Sequence, residues 1–218
     1  MIYRIQFTKA KGKKMAGKGV LYNYLLSNKK NFLIILIVFF IGMLLGIFLI
    51  NHTAESGILE INSYVNSIRE NLQSTNNVNM RQCLLKSIKQ NAIFILLMWF
   101  LGCTIIGSVF VYFCVLYKGF SLGYTISAII VTLGGKSGSI FVFASLLLQN
   151  IIYIPAIFLL AESGIKLYIR ITKNLANAKQ ELLRHTIIML ISMTLVVISS
   201  IIEVYLSTNL LIFVKKFV

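Results

Sequence analysis

Five long, nearly uncharged apolar stretches constrain this chain more than anything else in it. A helix rising 1.5 Å per residue needs roughly 20 apolar residues to cross about 30 Å of hydrocarbon. The stretches 32–50 and 92–116 contain no charged residue. The stretch 120–133 is shorter, and it reaches spanning length if it begins at 117 with Lys118 snorkelling to the interface. The stretch 140–165 holds one acid, Glu162, and 187–214 holds one, Glu203. Within lipid a segment must pair its own backbone groups, so each stretch is expected to be helical. The expected fold is therefore an all-α integral membrane protein, a bundle of five transmembrane helices. Composition excludes the alternatives. At 58% hydrophobic and 12% charged over 218 residues, the apolar surface exceeds what a soluble core of this size can bury. Three cysteines are too few for a disulfide-stapled domain.

The formal charge of +15 would suggest nucleic acid in a soluble protein. In a membrane protein it reads as orientation. With 1–31 in the cytoplasm, its eight basic residues share a side with Lys118 and the five basic residues of 166–186. Only Arg69, Arg81, Lys86, Lys89, Lys136, Lys215 and Lys216 then lie outside. The excess of Lys and Arg on cytoplasmic loops selects this orientation, N-terminus in and C-terminus out. The basic arm 1–31 is read as an orienting, lipid-attracting segment, with no nucleic-acid partner; each basic residue near anionic lipid contributes about 1 kcal/mol. The first stretch is read as a retained anchor in place of a cleaved signal peptide.

The remainder, 32–218, forms one membrane domain whose largest external piece is 51–91. There Ile58, Ile61, Val65, Ile68 and Leu72 follow a 3-4-3-4 spacing, one apolar stripe on a helix. Met80, Leu84 and Ile88 make a second, shorter stripe beyond the turn-forming Ser74-Thr75-Asn76-Asn77. The pattern predicts a small outer helical hairpin whose stripe packs on itself, lies on lipid or docks a partner.

The sequence offers little for catalysis. His52 and His185 lie far apart, Asp is absent, and no HExxH or paired carboxylates occur. Gly134-Gly135-Lys136-Ser137 resembles the end of a phosphate-binding loop, but the required earlier glycine is Ile130. No cofactor, metal or enzymatic activity is expected. Intramembrane polar groups are the candidates that remain. Glu162 precedes Lys166 by four residues, a favourable helical pair. Glu203 has no such neighbour; it reads as a snorkelling carboxylate near the outer edge or as a polar clamp, with Tyr205 close by. Gln149 and Asn150 read as mid-span helix bridges or part of a polar cavity, with the only proline, Pro155, expected to kink the helix. Gly102, Gly107 and the pair Gly119-x-x-x-Gly123 would let helices approach closely.

Four groups of residues occur in order: Trp99-Phe100-Leu101-Gly102 with Ile105-Ile106-Gly107, Lys118-Gly119-Phe120-x-x-Gly123-Tyr124-Thr125, Gln149-Asn150-x-x-x-Ile154-Pro155, and Ser199-Ser200-x-x-Glu203-x-Tyr205. In these, from about residue 30 onward, the chain resembles the stage II sporulation protein M family. It departs from the family pattern at Ser108 and Thr208, where the family carries proline. The resemblance implies a membrane scaffold of engulfment that localises two peptidoglycan-cleaving partners, stage II sporulation proteins D and P, at the sporulation septum. It supplies the partners and the role, which composition does not. The competing expectation, from Gln149, Asn150, Pro155 and Glu203, is a small transporter or channel component working as a homo-oligomer.

Overall fold

The computed structural model describes residues 29–52, 80–104, 107–143, 148–173 and 178–207, with positions 59, 63 and 146 besides. Six α-helices appear among them: α1 (Lys29–Asn51), α2 (Met80–Gly102), α3 (Gly107–Leu133), α4 (Gly135–Val142), α5 (Leu148–Thr172) and α6 (Ala178–Ile201). The last continues as a π-helical turn, Ile202–Ser207. There is no strand among the described residues. Helices α1, α2, α3, α5 and α6 with its turn are long and apolar enough to cross a membrane, so the expected five-helix membrane bundle is the fold. The expected hairpin stripe Ile58, Ile61, Val65, Ile68 and Leu72 lies outside the described residues, as does the arm up to residue 28.

Glycine packs α1 against α3. A Cβ at Gly42 or Gly46 would strike the carbonyls of Leu116 and Phe120, and one at Gly119 or Gly123 would strike those of Phe39 and Met43. Only bare Cα atoms allow that approach, which brings Cα–H groups onto carbonyl oxygens. Numbers rise together on the two sides, so α1 and α3 are parallel. The order reverses between α5 and α6, where the Ser199 hydroxyl donates to the Gln149 carbonyl and the Ser192 hydroxyl to the Ala156 carbonyl. It reverses likewise between α2 and α6, where Asn91 meets Ser200 and Trp99 meets Thr186. Thus α1, α3 and α6 run one way and α2 and α5 the other, as successive crossings require. Ile35, Ile95, Val115, Ile157 and Val196 from all five meet in one buried core.

The boundaries fall differently from those expected at two places. The 92–116 stretch is not one helix: α2 ends at Gly102 and α3 starts at Gly107. Between them the Thr104 hydroxyl donates to the Leu101 carbonyl (2.8 Å), and the Gly107 amide donates to the Thr104 carbonyl (3.1 Å). A Cβ at Gly107 would collide with the Leu101 carbonyl, so glycine makes the turn possible. In compensation α2 begins at Met80, and the stripe Met80, Leu84, Ile88 belongs to this membrane helix, not to a hairpin arm. Exposed Arg81, Lys86 and Lys89 extend from its first turns.

Lys118 does not mark a helix end. It lies inside α3, its ammonium 4.3 Å from the Tyr153 ring centroid and 5.7 Å from that of Phe94. Helix α3 stops instead at Gly134, whose φ of 82° is the left-handed conformation that suits glycine. The stretch 140–165 is helical at its described residues: α4 packs back on α3, with Gly138 against Ile129 and Ile130, Phe143 and Leu146 are π-helical, and α5 follows from Leu148.

Candidate functional site: two polar joints in the bundle

Polar side chains gather at two depths. One joint, called outer here after the orientation expected from the basic residues as the other is called inner, forms near the starts of α2 and α5 and at the π-helical end of α6. Gln149 Nε2 donates to Glu203 Oε2 (2.8 Å), and the Ser87 hydroxyl donates to the same oxygen. Asn91 Nδ2 stands 3.3 Å from the hydroxyls of both Ser87 and Ser200. A carboxylate in lipid needs donors, and here two other helices supply them. A π-turn widens the helix by one residue, a distortion common where a side chain must be re-aimed. Glu203 is in it.

The inner joint centres on His185, which is fully buried. Its Nε2 lies 3.2 Å from the Trp99 carbonyl, near the end of α2. A carbonyl can only accept, so Nε2 carries the proton. Its Nδ1 lies 2.6 Å from the Ser163 hydroxyl on α5. The ring fits because two glycines leave room for it: a Cβ on Gly102 would come within 2.6 Å of Nε2, and one on Gly164 within 3.4 Å of Cε1. Trp99 Nε1 adds a 3.4 Å contact to the Thr186 hydroxyl. A serine beside a histidine nitrogen is also the spacing of a nucleophile and its base. Here Ser163 is 3% exposed and its hydroxyl oxygen also lies 2.9 Å from the Leu160 carbonyl, between which and Nδ1 its single proton is shared, so the pair joins helices and offers no face to a substrate. One turn from it, Glu162 and Lys166 form their ion pair at 3.1 Å.

The sequence candidates distribute over both joints. Glu203 and Gln149 meet directly. Gln149 lies near the start of α5, beyond the π-helical Phe143 and Leu146. Asn150 is buried but donates to the Leu146 carbonyl of its own chain segment (2.8 Å), not to another helix. Tyr205 is 45% exposed, and Pro155 is exposed on α5, which runs on through it to Thr172. Trp99 and Gly102 build the inner joint, Gly107 the α2–α3 turn, and Gly119 and Gly123 the α1 contact. Lys118 points between α2 and α5.

Sequence reasoning missed Ser87, Asn91, Tyr153, Ser163 and His185, along with Gly42 and Gly46. The two glycines carried a readable signal, since Gly42-x-x-x-Gly46 repeats the spacing of Gly119-x-x-x-Gly123. Ser87 and Asn91 are four apart on one face of α2, a weaker signal of the same kind. Cys103, at the α2–α3 turn, has its thiol pushed up by burial and so stays protonated. No group of three His, Cys, Asp or Glu side chains able to hold a metal occurs among the described residues.

Fold and site together define a multi-pass helical membrane protein with two clusters of intramembrane polar groups that join one helix to another. The chain belongs to the family described as Stage II sporulation protein M, whose model matches residues 35–208. It is therefore a sporulation-related membrane protein. No curated protein and no solved structure gives a significant match.

Proposed function

We propose that this chain is a non-enzymatic membrane scaffold of the sporulation engulfment machinery, anchoring peptidoglycan-degrading partners at the septum. Family membership over 35–208 carries the reading, and stage II sporulation proteins D and P are the partners it implies. The bundle supports it chemically, because its two polar clusters, around Glu203 and around His185, tie helices together. In this reading the N-terminus is cytoplasmic and the C-terminus outside, so 52–79 and 134–147 present one outer face toward peptidoglycan. The outer joint fixes the helix ends that carry those segments.

The test is co-purification of the two hydrolases from sporulating cells. The wild-type chain is expected to retain both. Glu203→Ala, or Ile61→Lys with Ile68→Glu on the outer stripe, is expected to reduce the yield several-fold. Wild-type recovery in both variants would remove these contact sites, and failure of the wild-type chain to retain either hydrolase would remove the scaffold.

One observation favours a second reading, a transporter or channel component acting as an oligomer: Lys118 and Glu203 both lie within spans. Proteoliposomes of the purified chain test it; absence of ion or solute flux removes it.

A further inference from the structure

Three polar groups from three helices are left incomplete beside one another. Glu203 takes both of its hydrogen bonds on Oε2, from Ser87 and Gln149, which leaves Oε1 without a described donor. The Tyr153 hydroxyl is buried and has no hydrogen-bond partner among the described residues, although the side chain is only 1% exposed. The Lys118 ammonium faces the rings of Phe94 and Tyr153 and makes no ion pair among the described residues.

Their depths agree. Ser87 and Gln149 bond Glu203 and so share its level. Tyr153 lies four residues, about 6 Å, deeper along α5. Lys118 reaches that ring from α3. An ammonium in hydrocarbon needs an anion more than it needs an aromatic face. Every other acid among the described residues, Glu162 and Glu181, is at the opposite end of the bundle and already faces a basic partner. The π-helical turn gives the Glu203 side chain a place to re-aim by a fraction of a turn without breaking α6.

We propose that in the bilayer Lys118 and Glu203 form one intramembrane ion pair, closed through Glu203 Oε1, with the Tyr153 hydroxyl donating into it. This is a further role for Glu203, independent of any partner. It ties α3 to α6. Among the described residues α3 makes no side-chain hydrogen bond to another helix, so the pair is the polar connection between the α1–α3 half and the half that carries both joints.

Labelled wild-type protein in lipid bilayers tests the pair by solid-state NMR. A charged Lys118 ammonium within about 4 Å of the Glu203 carboxylate is expected. A neutral amine, or an ammonium that meets only the rings, overturns the proposal. Variants test it independently. Lys118→Met and Glu203→Gln should each lower the melting temperature in detergent by on the order of 10 °C, because each strands one charge. The double variant should lose no more than the worse single one. Additive losses overturn the pair. If the single variants do not accumulate, accumulation of the double one supports the pair, and its absence as well overturns it.

Discussion

His185 shows how much one side chain can hold in place here. It meets a carbonyl of α2 and a hydroxyl of α5 from α6, inside a notch left by Gly102 and Gly164. Replacing the ring by an apolar side chain removes the contacts to the Ser163 hydroxyl and the Trp99 carbonyl inside the bundle, which is destabilising. His185→Leu is therefore expected to cost about 2–3 kcal/mol and to lower the detergent melting temperature by on the order of 5–10 °C. Adding Ser163→Ala to it should cost less than Ser163→Ala does alone, because the contact between hydroxyl and ring is already gone and only the one to the Leu160 carbonyl remains to lose. Gly164→Ala should weaken the same joint by pressing on the Gly102 backbone, whose Cα would lie 3.2 Å from the added Cβ, and the same melting assay reads it. None of this is legible in sequence. His52 and His185 read alike as edge residues, and nothing local marks Gly102 and Gly164 as two walls of one notch from helices sixty residues apart. Glu162–Lys166 is the contrary case: both members sit on one helix, so a spacing of four was enough.

At the scale of elements, what is local in the sequence was readable and what depends on a neighbour was not. Five apolar runs are a local property, and five membrane-length helices result. Helix ends are decided by context. Lys118 looked like an interface marker because a charge usually is one, yet α2 and α5 give it aromatic faces and α3 runs past it. The break fell instead at 103–106, in an uncharged stretch, where Thr104 and Gly107 close a turn. The α1–α3 contact gives the sharpest element-level prediction. Gly42→Leu or Gly123→Leu inserts a side chain where even a Cβ meets backbone, which α1 can escape only by moving off α3. Each is expected to cost about 1–3 kcal/mol or more and to raise proteolytic cleavage between α1 and α2. Leu44→Ala, on the lipid face of the same helix and 62% exposed, should change neither the melting temperature nor the cleavage.

For the whole molecule, the contacts set a common ladder of depth. Gly102, Gly164 and His185 share one level, and Phe158 pairs with Phe32 and Phe39, so Lys29 and Lys30 at the start of α1 fall near that level too. From there α5 runs eight residues further to Thr172, about 12 Å past the end of α1. That extension carries Lys166 and Arg170, and the returning α6 carries Lys179, Glu181 and Arg184. Arg170 and Arg184 both stand 3.8 Å from Glu181. One end of the bundle thus gathers most of the described basic residues, while the other holds Arg81, Lys86, Lys89 and Lys136. Moving Lys118 out of a loop and into the bundle removes one basic residue from the first end without changing the bias. Short basic loops stay on the cytoplasmic side, so the α5–α6 extension should face the cytoplasm. In a chain with Cys83, Cys103 and Cys114 replaced by Ser, single cysteines at Glu55, Lys136, Leu175 and Lys216 report the arrangement. A membrane-impermeant thiol reagent added to intact cells should label positions 55, 136 and 216 and spare 175 until the membrane is opened. Equal labelling at 136 and 175 would mean that α5 does not cross, and labelling of 175 alone would invert the molecule and turn its outer joint, with Glu203, toward the cytoplasm.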